Sequence, residues 1–184
     1  MKHSKISGLI LVISAFFTTS ISANNGVTGV QELRAKQWLI VNDSVMGGVS
    51  SSQLIDNDSF ITFAGNLSTA NNGGFASTRM KHRAGKNDDK LEIKIRGDGK
   101  EYQLRLRVDN YYDGPAFVSF IKTEKDKWQT ITLSKEDFQL MYRGRYIKAD
   151  YQLVFADVTT VGFLISKKQV GPFKLDITEI NWHG

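Results

Sequence analysis

Two glycine-rich segments stand close together in the first half of the chain. Residues 38–50 read WLIVNDSVMGGVS, and residues 71–79 read NNGGFASTR. Paired glycines beside Asn and Asp allow backbone conformations with positive φ, and they let other groups approach the main chain closely. We therefore interpret both segments as specific, tight corners of a folded domain.

Outside these corners, short runs of alternating apolar and polar residues dominate the chain. In residues 90–96, Leu91, Ile93 and Ile95 share one face, and residues 102–108 repeat the pattern. Such alternation is typical of antiparallel strands that bury one face. Further strands are predicted at residues 60–67, 74–80, 116–122, 127–133, 160–165 and 173–182, the last with a bulge near Glu179.

The connections between these runs are short. Gly97, Asp98 and Gly99 separate the two clearest strands and predict a hairpin. Ser134 begins a capping-type sequence before Phe138, which predicts a single helical turn. Because no long helical periodicity is present, the sequence predicts an all-β fold, an antiparallel β-sandwich or barrel.

The N-terminus has the features of an export signal. Lys2 and Lys5 form a positive n-region, residues 6–17 are apolar and uncharged, and a cleavage point follows Ala23. We predict a signal peptide over residues 1–23, a polar lead-in over 24–37 and one domain over 38–184. The protein is then exported, periplasmic or secreted, with no stable membrane insertion after cleavage. An uncleaved membrane anchor is the alternative.

Composition excludes several classes of function. The chain carries 24 Lys and Arg against 19 Asp and Glu, a net charge of +5 spread along its length, and nucleic-acid binding would need clustered basic residues. It has no cysteine, which excludes disulfides, cysteine zinc sites and thiol nucleophiles. With His82 as the one credible histidine base, a Ser-His-Asp triad is not expected. We expect no enzyme activity, no cofactor and no bound metal.

The order of motifs along residues 38–182 resembles that of the complex I intermediate-associated protein family. Beyond the glycine segments, the resemblance rests on Tyr102 after the Gly97 to Gly99 motif, Arg143 before Gly144, and Val161-Gly162-Phe163. It implies a galactose-binding-domain-like jelly roll and a chaperone-like, non-catalytic binding role in assembly. The residues expected to serve as structural motif are Trp38, Met46, Gly47, Gly48, Gly73, Gly74, Gly97, Asp98, Gly99, Trp128, Gly144, Gly171, Pro172 and Phe173.

Polar residues of the two corners are candidates for binding. Asn42, Asp43 and Ser50 flank the first glycine pair, and Asn71 and Asn72 precede the second. The first three either satisfy the backbone of a tight corner or supply oxygens to a ligand or calcium ion. The structural interpretation is favoured, because one acidic residue supplies too few of the carboxylate oxygens that a calcium site requires.

The strand after the second corner carries three further candidates. Phe75, Ser77 and Arg79 share one face of that strand. Arg79 either binds a carboxylate or phosphate through bidentate hydrogen bonds of its guanidinium group, or forms a structural salt bridge with Asp43 or Asp98. The bridge is favoured, because buried arginines are nearly always paired.

Aromatic residues suggest a second kind of site. Trp128, Tyr102, Tyr111 and Tyr112 are candidates for a sugar-stacking platform, and Tyr111 and Tyr112 fall in an expected exposed loop. Trp128 is expected in the core instead.

Two hypotheses about function follow. The first is an accessory protein that holds a protein partner during assembly of a membrane or envelope complex. The alternative is an exported module that binds carbohydrate or another small ligand. An enzyme would require a cluster of perturbed carboxylates in a pocket, and the sequence contains no motif of that kind.

Overall fold

A computed structural model describes residues 33–109, 111, 113–148, 151–166 and 169–184. The predicted signal peptide and all but the end of the lead-in lie outside these residues. The described residues form two antiparallel sheets packed face to face as a β-sandwich. The strands are β1 (Trp38–Asn42), β2 (Ser51–Asp56), β3 (Ile61–Leu67), β4 (Phe75–Lys81), β5 (Lys90–Gly97), β6 (Glu101–Arg107), β7 (Ala116–Lys122), β8 (Trp128–Ser134), β9 (Gln139–Tyr142), β10 (Arg145–Tyr146), β11 (Thr160–Ser166) and β12 (Gly171–His183).

Each sheet mixes strands from distant parts of the chain. The seven-stranded sheet has the order β1-β4-β11-β6-β7-β9-β10, and the five-stranded sheet has the order β2-β3-β12-β5-β8. Short 3₁₀ turns lie at Ala35–Gln37, Asp43–Met46, Ala70–Asn72, Lys135–Asp137 and Phe155–Asp157. None of the helices in the described ranges is long and apolar enough to span a membrane.

The core is made by the inward faces of the two sheets. Leu91, Ile93 and Ile95 of β5 are fully buried. So are the apolar residues at alternate positions of β6 in the other sheet, Leu104 and Leu106 among them. The alternation predicted from sequence for these strands is therefore confirmed, and burial of apolar surface between the sheets is the main stabilising force.

The predicted hairpin between β5 and β6 is wrong, because the two strands belong to different sheets. The connection crosses from one sheet to the other, and both strands direct their apolar faces into the core between them. Asp98 stabilises the crossing: its carboxylate accepts a hydrogen bond from the Tyr102 hydroxyl at 3.1 Å and one from the Lys174 backbone N–H at 3.0 Å.

The other predicted strands match β3, β4, β7, β8, β11 and β12 to within one or two residues. The predicted bulge is present, as a register shift between Ile177 and Glu179. The turn predicted at Ser134 is also present, capped by reciprocal hydrogen bonds between Ser134 and Asp137. Strands β1, β2, β9 and β10 were not predicted, because β1 is a nearly continuous apolar run and the others are short or mostly polar.

Gly97→Ala should destabilise the fold. A Cβ at this position would overlap the side chain of Thr123. Thr123 cannot turn away without loss, because its hydroxyl accepts from the Gly99 N–H at 3.1 Å and donates to the Lys100 carbonyl at 2.8 Å. We expect a loss of about 1–3 kcal/mol in the free energy of unfolding, measured by urea denaturation. Gly85→Ala in an exposed loop is the control, and an equal effect of both substitutions would contradict the packing account.

Candidate functional site

The two glycine segments meet at one corner of the sandwich. Strand β1 ends at Asn42, and a 3₁₀ turn over Asp43–Met46 follows, closed by Gly47 in the left-handed region with φ 86°. The chain then passes through Ser50 into β2 in the other sheet. The second glycine segment leads into β4, which pairs with β1. The corner therefore joins both sheets.

The carboxylate of Asp43 lies at the centre of this corner. The residue is only 1% exposed. Its Oδ1 accepts from the Ser50 backbone N–H at 2.9 Å, and its Oδ2 accepts from the Ser50 hydroxyl at 2.5 Å. Oδ2 also accepts from the backbone N–H groups of Gly74 at 2.5 Å and Phe75 at 3.2 Å. One carboxylate thus satisfies donors from both glycine segments.

Two glycines make room for this carboxylate. A Cβ on Gly48 would overlap the Asp43 carboxyl group, and a Cβ on Gly73 would lie 2.5 Å from its Oδ2. Any larger residue at either position would push the carboxylate away from its donors. Close approach to one buried side chain therefore explains one glycine of each pair, and the positive φ angles of Gly47 and Gly74, 86° and 133°, explain the other.

The hydrogen bonds decide the ionisation of Asp43. Burial by itself raises the pKa, but the hydrogen bonds from Ser50, Gly74 and Phe75 outweigh it, and the net pKa lies below its usual value of 3.8. Asp43 is therefore a carboxylate at neutral pH. The hydrogen-bond donors to Asp43 are groups of the protein itself, as expected if the motif satisfies the backbone of a tight corner. Ligand binding by Asn42, Asp43 or Ser50 stays a prediction.

The remaining corner residues fall into two groups. Asn42 accepts a hydrogen bond from the Ser52 hydroxyl at 2.7 Å, which ties β1 to β2. Asn71 and Asn72 are exposed and adopt positive φ angles of 55° and 59°. Their side chains face solvent, so binding by these two residues also stays a prediction.

Apolar side chains project from the outside of the corner. Val45 is 56% exposed, Met46 70% and Val49 53%. All three lie between Asp43 and Ser50, the residues that the buried hydrogen bonds hold in place. We call Val45, Met46 and Val49 the apolar tip.

The outer face of the seven-stranded sheet begins at the same corner. Phe75, Ser77 and Arg79 alternate with buried residues of β4 and point to this face, as predicted. The Ser77 hydroxyl donates to the Val41 carbonyl at 2.6 Å. Asp43 and Asp98 are the structural partners expected for Arg79. The Asp43 carboxylate accepts hydrogen bonds at the corner, and the Asp98 carboxylate accepts them where the chain crosses between the sheets.

Two of the proposed sugar-stacking aromatics are placed elsewhere than expected. Tyr102 is fully buried, with its hydroxyl on Asp98, so it cannot stack on a ligand. Trp128 is 39% exposed and not in the core, contrary to expectation. It is in phase with the exposed Thr130 and Thr132 of β8, and the Arg96 guanidinium lies 4.7 Å from the centre of its ring.

The loop expected to carry exposed aromatics is described only in part. Tyr111 is 75% exposed, and its N–H donates to Asp109 at 3.1 Å. Tyr112 lies outside the described residues. The loop follows β6 directly, so Tyr111 stands near the end of the outer face.

Sequence reasoning missed a groove beside β9 and β10. It has a volume of about 570 Å³ and is lined by exposed Tyr146 and Tyr151 together with Lys135, Glu136 and Gln152. Tyr151 also packs against Phe117, with ring centres 5.9 Å apart. These tyrosines lie on short or irregular segments where no alternation marks a surface.

The remaining motif residues serve the fold. Trp38 is buried and stacks on Phe163 at 6.2 Å, and Phe173 packs on Phe63 at 5.0 Å. Gly144 and Gly171 have positive φ angles of 77° and 102° at the ends of strands, and Pro172 is exposed beside Gly171.

The sequence profile described as Complex I intermediate-associated protein 30 matches residues 28–177. The chain belongs to this family. A relative named Complex I intermediate-associated protein 30, mitochondrial, from Mus musculus is 23% identical over 164 residues, which is 77% of this chain and 50% of the relative. A probable form of the same mitochondrial protein from Caenorhabditis elegans is 26% identical over 155 residues, 72% of this chain and 46% of the relative. The chain spans about half the length of these relatives.

Solved structures with the same fold include carbohydrate-binding modules. The family 11 module from Clostridium thermocellum, in complex with a β-1,3-1,4-mixed-linked tetrasaccharide, superimposes with a TM-score of 0.59 at 16% identity. The overlap covers 83% of this chain and 94% of that one. Another structure of a family 11 module, that of a cellulosomal cellulase of the same organism, gives a TM-score of 0.58 at 16% identity, covering 85% of this chain and 95% of that one. At this identity the likeness shows the fold alone, a galactose-binding-like jelly-roll sandwich.

Asp43→Asn should destabilise the protein by about 2–4 kcal/mol at neutral pH. The amide has one acceptor oxygen and turns an NH₂ group toward the buried N–H of either Ser50 or Gly74, so at least one donor is left unsatisfied. Urea denaturation measures the loss. Asp58→Asn in an exposed turn is the matched control and should change the free energy of unfolding by less than about 0.5 kcal/mol.

The same pair of proteins tests the ionisation of Asp43. A carboxyl group with a lowered pKa stabilises the fold above its usual pKa and stops doing so as pH falls through the folded value. The difference in stability between wild type and Asp43→Asn should therefore stay constant from about pH 8 to about pH 5 and shrink only below the usual pKa of 3.8. A difference that grows as pH falls from about 7 to about 5 would show that the pKa is raised instead.

Proposed function

We propose that this protein is a non-catalytic binding module that contacts a protein partner during assembly of a membrane or envelope complex. Membership of the complex I intermediate-associated family supports the assembly role. The export-type N-terminus supports a periplasmic or secreted location, whereas the relatives named above are called mitochondrial. The proposal therefore takes assembly by protein contact as the shared activity and leaves the complex to be identified.

The apolar tip is the observation that carries this proposal. Val45, Met46 and Val49 expose apolar surface, while the backbone beneath them is held by the four hydrogen bonds of Asp43. A contact surface that is already rigid loses little conformational entropy on binding. Met46 adds a flexible, polarisable side chain that adapts to apolar partners. A protein partner with an apolar segment fits this tip.

Asp43 and His82 have shifted pKa values, and the structural roles of both agree with non-catalytic action. The Asp43 carboxylate is surrounded by donors of the protein. Burial lowers the pKa of His82, partly offset by the hydrogen bond that its Nε2–H donates to the Ile180 carbonyl at 3.2 Å, and its ring lies against Trp182. Both groups are engaged in holding the fold together.

Replacing the apolar tip should abolish partner binding without unfolding the protein. In the double variant Val45→Glu, Met46→Glu, both side chains face solvent, so the thermal unfolding temperature should stay within a few degrees of wild type. Purified wild-type protein should capture from the exported fraction a defined protein that the variant does not retain. The captured protein is then identified by mass spectrometry, purified and titrated against both forms.

Val154→Glu is the matched control, because Val154 is similarly exposed, at 50%, and precedes the start of β11 at the end of the sheet opposite the corner. It should bind the purified partner as wild type does. Equal retention of the partner by the tip variant and by Val154→Glu would contradict the proposal.

A second function, carbohydrate binding, is favoured by the groove beside β9 and β10. Tyr146 and Tyr151 are exposed along it, and side chains such as Lys135 and Gln152 supply hydrogen-bonding groups. Exposed aromatic rings with nearby polar groups are typical of sugar sites. The exposed Tyr111 offers a different platform at the end of β6.

Glycan titration separates these platforms. If the groove binds sugar, soluble oligosaccharides should perturb NMR signals of Tyr146 and Tyr151, and Tyr146→Ala should weaken binding about tenfold, the loss expected for one stacked ring. Tyr111→Ala is the control of equal chemistry. Loss of binding in Tyr111→Ala alone would move the site to the β6 loop, and no perturbation by any glycan tested would reject the second function.

A further inference from the structure

Three arginines lie side by side on the outer face of the seven-stranded sheet. In the strand register, Arg79 of β4 pairs with Gly162 of β11, and Gly162 pairs with Arg105 of β6. Arg107 is on the same face of β6, two residues further along. Paired residues of adjacent strands share a face, so the three side chains rise from neighbouring positions.

Gly162 lies between two of these arginines in the sheet. It carries no side chain, and a Cβ there would lie only 2.8 Å from the Cβ of Arg79. The stem of Arg79 therefore lies against this glycine, with Arg105 on its other side. Guanidinium groups on the same face of a sheet can donate charge-assisted hydrogen bonds to one carboxylate.

Carboxylates among the described residues do not neutralise Arg105 and Arg107 by direct ion pairs. Arg105 donates to the Gln103 side-chain oxygen at 2.7 Å. Arg107 donates to the backbone carbonyls of Gly114 and Pro115. The acidic groups of the following loop have other partners: Asp109 accepts from the Tyr111 N–H at 3.1 Å, and Asp113 forms an ion pair with Arg143 at 2.6 Å.

The clustering has an electrostatic cost. Burial, together with the charges of Arg107 and Arg79, lowers the pKa of Arg105 to about 10. Burial and the charge of Arg79 also lower the pKa of Arg107, partly offset by Asp109 and Asp113. Both remain cations at neutral pH, so an anion placed among them would relieve their repulsion.

The surroundings of the cluster suit an acidic peptide better than a free ion. Leu39, which pairs with Arg79 in the register, is 50% exposed, and Phe120, which pairs with Gln103, is 42% exposed. Strand β1 continues from Leu39 through Val41 to the apolar tip. Cationic and apolar groups thus form one continuous surface that ends at the tip.

We propose that Arg79, Arg105 and Arg107 bind an acidic segment of the protein partner, whose Asp or Glu carboxylates enter between the guanidinium groups. This inference rests on the proposed function, because the same partner is to contact the apolar tip. It assigns the chemistry of the partner: carboxylates interspersed with apolar side chains.

The test uses four defined probes on the full domain. They are a short peptide of alternating Glu and Leu, the same peptide with Gln in place of Glu, inorganic sulfate, and a galacturonate trisaccharide. Binding is followed by NMR of the arginine Nε–H signals. The Glu peptide should shift the Arg79 and Arg105 signals in a saturable and salt-dependent manner, the Gln peptide should not, and the other two anions should bind at least about tenfold more weakly.

Arg105→Gln should weaken binding of the Glu peptide about tenfold, since a charge-assisted bidentate contact is lost. Arg143→Gln, an exposed arginine already paired with Asp113, is the matched control and should bind as wild type does. Arg105→Lys, which keeps the charge without the fork, replaces the Gln variant if that variant does not fold.

Absence of peptide binding, or unchanged binding in Arg105→Gln, would overturn the inference. Binding of sulfate or galacturonate as tight as that of the Glu peptide would overturn the assignment to an acidic segment. Binding of the purified partner distinguishes failure of this inference from failure of the proposed function. If Arg105→Gln retains the partner while the apolar tip variant loses it, the inference fails and the proposed function stands.

Discussion

The buried carboxylate of Asp43 is the constraint on which the corner of the sandwich depends. It accepts hydrogen bonds from Ser50, at the entrance to the five-stranded sheet, and from Gly74 and Phe75, at the start of β4 in the other sheet. Two glycines are required because the carboxylate occupies the space where their side chains would be. The most particular motif of the chain is thus a structural device, and its outer surface is left for contacts.

That surface has two chemically different parts. The apolar tip stands on the rigid corner. The arginine cluster begins at Arg79, four residues and about 13 Å along β4 from Phe75 at the same corner. Between them, the outer side chains of β1 provide apolar surface. A partner that covers both parts would gain desolvation at the tip and charge pairing at the arginines, the division between affinity and specificity common in protein interfaces.

Local patterns predicted the strands well and the long-range pairings poorly. Alternation identified β5 and β6, but the Gly97 to Gly99 turn has the same chemistry whether the following strand pairs with the first or crosses to the other sheet. The phase of Trp128 with Thr130 and Thr132 was readable and pointed outward, against the general preference of Trp for the core. Arg105 and Arg107 were visible as the polar face of β6, whereas Arg79 joins them only through β11, which is far away in sequence.

Amide hydrogen exchange at the corner tests the central claim most directly. The N–H of Gly74 and the N–H of Gly85 both donate to an aspartate oxygen at 2.5 Å, the first buried at Asp43 and the second exposed at Asp88. If the Asp43 carboxylate holds the corner, the amides of Ser50 and Gly74 should exchange as slowly as those of the core strand β5, and Gly85 much faster. Exchange of Ser50 and Gly74 at the rate of Gly85 would contradict the account.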